Sequence, residues 1–501
     1  QYTVTFRTDG YGEAPPAVTA MADEMVTIPS GEGLTNSGSS FGGWNTADGD
    51  HYTAGQIITM PAKDMCLTPA WGHVEVELEL GTVYPALSSG NQMSEQANVH
   101  KLLNFEGAQL ESGTTVGKDS IHSLQVIDQS LTYNSTPVDG DSYKVVITNP
   151  DADAVYARHV GATSQDRVVA YLVECTHKNA SSDYKFDLII AGPGGVMAPA
   201  NMNGWMSNST IEGMDLSALD TSQVTDMSYM FQFSQKLASL NLTSFNTENV
   251  TNMKAMFQGC YELTELRIEE GFDTSKVTDM TVMFSLCGKL SNYSFLTLFN
   301  TENVTSMSQM FYGNNSAHTL DLSSFDTRHV TNMYRMFFDC SSLKSLEFGN
   351  SFNTSSVTNM ADMFALCINL SALDVTGFNT SKVTTMRTMF STCRALTTLD
   401  VSGFNTSNVT DMYGMFNSCL ALTKLNLKNF NTSKVTDMSQ MFTNCYALTE
   451  LNVSSFDTSE VTDMASMFEY CKKMETLTFG ENFDTSKVTN MSLMFRKVHN
   501  P

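Results

Sequence analysis

The sequence predicts an α+β repeat protein, a solenoid of about eleven coils of 26–27 residues in the C-terminal part of the chain, with β-rich segments before it. Three observations carry this. A Val-Thr-x-Met-x-x-Met-Phe unit recurs eleven times, its valines at Val224, Val250, Val277, Val304, Val330, Val357, Val383, Val409, Val435, Val461 and Val488. A fixed spacing of 26 or 27 residues marks a stack of like units, none of which buries its apolar face alone. Within the unit, Val, Met, Met and Phe at i, i+3, i+6 and i+7 share one face of a helix turning about 100° per residue, so a short amphipathic helix is expected in each coil. Ahead of each unit, alternating apolar residues such as Leu399 and Val401 predict a short strand.

Taken in order, residues 1–72 form the first segment. Tyr2–Phe6 alternates, Asp9-Gly10 is a hairpin-turn signal, and Trp44 and Trp71 supply core volume. The stretches Y-T-V-T-F at the start, F-G-G-W-N-T at 41–46, Tyr52 with Gly55, I-T-M-P-A at 58–62 and the closing Ala70-Trp71 resemble the Listeria–Bacteroides repeat, or internalin B-repeat. That resemblance implies a ubiquitin-like β-grasp module carried by a surface protein. It implies location and no chemistry.

Residues 73–183 read as a β-rich domain of unassigned role, with strands expected at 73–80, 143–148 and 168–173 and a short helix at 92–103. From 184 onward the composition shifts. The strand 184–190 and Gly192-Pro193-Gly194-Gly195 lead into an N-terminal cap for a solenoid spanning 184–501, since an end coil without a cap exposes its core.

The coil 396–419 reads L-T-T-L-D-V-S-G-F-N-T-S-N-V-T-D-M-Y-G-M-F-N-S-C. Leu396, Leu399 and Val401 follow the L-x-x-L-x-L of a leucine-rich repeat, Phe404 turns inward, and Asn405-Thr406-Ser407 offers caps for the expected helix. A counterpart of Thr406 stands in every coil, which predicts a recurring backbone hydrogen bond. The four 27-residue coils all place their extra residue between strand and inward Phe, at 269–271, 296–298, 349–351 and 480–482. Eight of the ten cysteines occupy one column three residues after the Met-Phe, with Ser234 and Asn314 replacing Cys in two coils; this predicts buried free thiols packed as small hydrophobes. The pattern is similar to the 26-residue repeat of Listeria and other bacterial surface proteins and to BspA-type leucine-rich repeat proteins. That resemblance implies a cell-surface adhesin for extracellular-matrix or host proteins or other bacteria.

A net charge of −25 argues against nucleic acid, which is bound through clustered Lys and Arg. No apolar run is long enough to span a bilayer, and the chain, beginning at Gln1 without Met, reads as a mature form or an excised fragment. No catalytic signature stands out: the nine His are scattered, and no nucleophile elbow, phosphate loop or paired carboxylates appear. Asp220 with Asp226 and Asp457 with Asp463 offer oxygen ligands, but Asn replaces Asp freely in those columns and no bidentate Glu accompanies them, so neither metal nor cofactor is expected. The candidate binding residues are the outward column of the strand face: Asp321, Glu347, Asp374, Asp400, Asn426 and Asn452. At about 4.8 Å per coil its successive acids repel unless solvated or met by a basic partner. The expected function is a non-enzymatic, extracellular bacterial surface protein that binds a host protein or another cell through weak, repeated contacts. The competing expectation is a stalk that presents a binding domain elsewhere.

Overall fold

A computed structural model describes residues 1–8, 12–31, 34, 40–46, 50–53, 55–72, 74–78, 121–128, 132–139, 142–147, 154–159, 168–174, 186–192 and 194–498. The Asp9-Gly10 turn, the helix expected at 92–103 and the boundary expected at 183 lie outside these residues. The chain forms two units, divided near residue 200: the first holds Gln1–Ala97, Lys101–Pro199 and Met214–Asp220, the second Asn98–His100, Ala200–Gly213 and Thr221–Pro501.

In the first unit, β1 (Tyr2–Phe6), β2 (Val18–Ala20), β3 (Met25–Thr27), β4 (Ser40–Thr46), β5 (His51–Tyr52), β6 (Ile57–Thr59) and β7 (Met65–Gly72) come first. They form a sheet of order β2-β1-β7-β4-β5, with β1 and β7 parallel, and a separate β3-β6 pair. The alternation of β1 puts Val4 and Phe6 into a core with Trp44, Met60 and Leu67. Phe6 meets the Trp44 ring edge-on at 4.8 Å, and the indole N–H donates to the Pro29 carbonyl at 3.0 Å, so the buried tryptophan leaves no polar atom unpaired. Downstream lie β8 (Val74–Leu78), β9 (Ile121–Asp128), β10 (Thr132–Asp139), β11 (Ser142–Ile147), β12 (Ala154–His159), β13 (Val169–Glu174) and β14 (Phe186–Gly192). One sheet runs β10-β11-β8; in another, β12, β13, β14 and β9 lie side by side. Strand β14 is buried along its whole length, and its Asp187 is held by the Ser123 hydroxyl at 2.6 Å and the His122 ring at 3.2 Å.

The second unit corrects the expected α+β class. Among the described residues there is no α-helix, and the one helical turn is a 3-10 segment at Ser294–Leu298. Nor do the coils close into a leucine-rich-repeat solenoid with a continuous sheet: the strand segments form four separate two-stranded parallel pairs. The segment expected to be helical is a run of tight turns stacked on the same run in the next coil. In the coil of Val409, Met415 N–H donates to Met412 O, Asn417 to Gly414 and Cys419 to Phe416, each closing a turn inside the coil. The alternate N–H groups of Met412, Gly414, Phe416 and Ser418 donate instead to Asp437, Ser439, Met441 and Thr443 of the following coil, at 2.7–3.1 Å. A helix would direct all of these N–H groups along its own axis. Here the fifth and ninth residues after each Val take left-handed backbone, as at Gly414 (φ 55°) and Ser418 (φ 60°), which breaks any helix and turns alternate peptides toward the neighbour.

The same inward set therefore serves a different backbone. Val, both Met and Phe are buried in each of the first ten units, and the Phe rings stack coil on coil, 5.7 Å apart for Phe390–Phe364 and Phe416–Phe442. In the eleventh unit, which has no coil stacked beyond it among the described residues, Met491 and Phe495 stand 47 % and 52 % exposed. Each coil's core is thus completed by the next one.

Candidate interaction surface on the stacked coils

Three side-chain columns fix the coils in register. Thr406 is buried; its hydroxyl donates to Asn431 O and accepts from Asn431 N, both at 2.8 Å, and the same exchange recurs at Thr221, Thr380 and Thr432. This is the recurring backbone bond expected of that position. The eight cysteines of the second column are free and buried, as expected of packing thiols. Each Sγ–H also donates to the Phe carbonyl of the preceding coil, as Cys419 does to Phe390 at 3.2 Å. Burial pushes Cys260, Cys340, Cys419 and Cys471 up to about 12. Ser234 performs the same donation to Met206. The third column follows the Val-Thr pair: Asp411 Oδ1 accepts from Tyr413 N and Asp437 Oδ1 from Ser439 N, so Asp, Asn, Ser and Thr interchange there as turn caps.

That last ladder extends one rung further than the eleven units. Asn201 pairs with Asp226, and Met202, Trp205 and Met206 are buried where later coils carry Met, Met and Phe. The signal was present in the sequence as N-M-x-x-W-M, with Pro199-Ala200 in place of Val-Thr. Trp for Met disguised it.

On the strand side, Asp321 and Glu347 face each other across one parallel pair, with Leu320 and Leu346 inward between the coils. Asp374, Asp400, Asn426 and Asn452 lie together along a separate groove of about 920 Å³, beside Thr398, Lys424 and Glu450. Asp321 and Glu347 do not line it. The column is acidic and amidic for a local reason that sequence reading missed: Asp374 Oδ1 accepts from Thr376 N and Oγ1 at 2.9 and 2.6 Å, Asp400 from Ser402 likewise, and Asn426 and Asn452 cap Lys428 N and Ser454 N. An oxygen two residues before the turn is what the backbone requires, and Asp and Asn both supply it. The hydroxyls of Ser323, Thr376 and Ser402, and then the backbone N–H groups, hold Asp321, Asp374 and Asp400 below the ordinary carboxylate range. Asp400 pushes weakly against this at Asp374. These side chains are exposed, so one carboxylate oxygen caps a turn while the rest of the group faces the groove.

Among the described residues no three His, Cys, Asp or Glu converge on a point where a metal ion would sit, and no helix is long and apolar enough to cross a membrane. No curated protein and no solved structure matches the chain. Residues 2–68 match the Listeria-Bacteroides repeat domain. Both repeat families found in the chain are typical of bacterial surface proteins, which makes it a surface or interaction protein. Overlapping matches at 200–270, 264–364, 315–425, 344–447 and 421–500 span well over half of its 501 residues, and on them the chain belongs to the family described as Mycoplasma protein of unknown function, DUF285.

Proposed function

We propose that this protein is a non-enzymatic bacterial adhesin, displayed outside the cell, that binds a host or extracellular-matrix protein, or another cell, through the stacked coils. Its likeness to BspA-type surface proteins is part of that proposal. The observation that supports it best is the groove along Asp374, Asp400, Asn426 and Asn452, where chemically similar groups repeat coil after coil on an open face. Repetition of this kind converts weak single contacts into useful avidity when a partner offers several matching groups. The groove has no Trp, Tyr or Phe to anchor a small, tight interface, so a multivalent mode fits it better. The absence of a converged catalytic constellation in the sequence supports a binding role over an enzymatic one.

The test is a multimerised form of the full chain, probed against arrays of host surface proteins, matrix proteins and bacterial cells. Saturable capture that weakens in an Asp374→Asn/Asp400→Asn variant is the expected result. No capture by the multimer would leave the stalk reading, in which the coils only hold another domain away from the cell.

A further inference from the structure

The repeat is most irregular at one place. Two consecutive coils, those leading to Val277 and Val304, each carry 27 residues, whereas the other long coils have 26-residue neighbours. Their extra residues fall side by side, and the two bulges flank an open cleft of about 440 Å³ lined by Thr243, Ile268, Glu269, Glu270, Gly271 and Leu298. The strand ladder is interrupted here as well. Glu265–Arg267 pairs with Ser239–Asn241 on one side, but the next coil substitutes the 3-10 turn Ser294–Leu298 for a strand. Inside that coil Tyr293 and Phe295 take inward positions held by Leu and Val in coil 396–419, and the buried Tyr293 hydroxyl and Asn314 Nδ2 have no hydrogen-bond partner. A chain otherwise obedient to its own repeat breaks several local rules at once, which is what a functional position does.

The lining is of two kinds. Leu298 is 39 % exposed and with Ile268 makes an apolar wall, while the exposed Glu269 and Glu270 form the rim. The nearby cations are engaged elsewhere: Arg267 with Glu265 at 2.7 Å and Lys289 with Glu262 at 2.5 Å. Neither Glu269 nor Glu270 has a cationic partner among the described residues. An apolar wall leading to unpaired carboxylates suits a side chain with a methylene stem and a cationic tip.

We propose that this surface cleft receives a lysine side chain from an extended basic segment of a partner protein, the stem lying along Leu298 and Ile268 and the ammonium meeting Glu269 and Glu270. The inference rests on the reading of the chain as an interaction protein, and places a specific contact away from the Asp374–Asn452 groove.

The experiment uses the full chain and a fluorescent synthetic peptide of alternating lysine and serine, followed by anisotropy at physiological ionic strength so that the diffuse charge of −25 is screened. Binding is expected for the wild-type chain and lost when the peptide lysines are acetylated. Glu269→Gln/Glu270→Gln should weaken it about tenfold or more, since the amides still accept a hydrogen bond but both negative charges are lost. Leu298→Ser should weaken it severalfold, and Asp374→Asn/Asp400→Asn should leave it unchanged. All these sites are exposed, so folding is retained. Failure of the wild-type chain to bind, indifference to the Glu pair, or equal weakening by the Asp pair would each overturn the lysine site. A chain that captures host proteins on the arrays yet ignores this peptide loses only the inference. One that binds the peptide at Glu269 and Glu270 but captures nothing on the arrays keeps the site and loses the adhesin reading.

Discussion

Thr406 shows how much of this protein is decided by single side chains. Its hydroxyl closes both hydrogen-bonding groups of Asn431 in the next coil, and valine, of the same shape, would leave that carbonyl and N–H unpaired. Thr406→Val is therefore expected to cost about 1–3 kcal/mol, read as a lowered thermal midpoint. Thr392 points the other way. It sits in left-handed backbone at φ 64°, where a β-branched residue is strained, and its hydroxyl meets only that of Ser391 at 3.4 Å. Asn444 holds the same position two coils later at φ 62°. Thr392→Asn is expected to raise stability by about 0.5–1 kcal/mol, and an unchanged or lower melting midpoint would contradict the strain assigned here. The Asp374 and Asp400 turn caps belong to this scale too: the residue types were visible in the sequence, but that each oxygen already serves a backbone N–H was visible only in three dimensions.

At the scale of one coil, the Met-x-x-Met-Phe segment was legible as a buried face and illegible as a backbone. Inward residues three and four apart suit a helix, but they equally suit a chain that turns every three or four residues, and periodicity cannot separate the two. The turns win because they release four N–H groups per coil to the following coil. The cysteine column rides on this arrangement and sets an alkaline limit. Burial raises Cys419 from an ordinary 9.0 to about 12, so the folded chain keeps its proton where the unfolded chain loses it. The sign follows: the contribution is fully present below 9.0 and is lost as pH rises toward about 12. Urea midpoints are expected to fall through that window, and to fall less in a Cys419→Ser variant, which keeps the donation that Ser234 makes naturally. Thiol labelling gives a second reading. Among the described cysteines Cys66 alone is exposed and should react in the native state, whereas the column should react only after unfolding.

Across the second unit, stability is a sum over neighbouring coils, because nearly every backbone bond outside a turn joins one coil to the next. Removing one whole period, for example residues 410–435, would bring Thr436 opposite Thr384 in place of Thr410 and keep every column in register. That variant is expected to fold with a lowered melting midpoint, whereas removal of half a period would set inward residues against outward ones and abolish cooperative melting; equal outcomes would refute the columnar account. The sequence by itself determined the eleven Val-Thr units, their 26–27-residue spacing, the inward Val, Met, Phe and Cys, and the place where extra residues are tolerated, because each of these is a repeated chemical identity. Only the tertiary structure decided that the Met-x-x-Met-Phe segments form stacked turns and not helices, that Asn201–Met206 adds a rung, and that two adjacent bulges flank a cleft. The physical reason is that these depend on where backbone N–H groups find acceptors, and in this chain the acceptors lie one full coil away, beyond the reach of any local pattern.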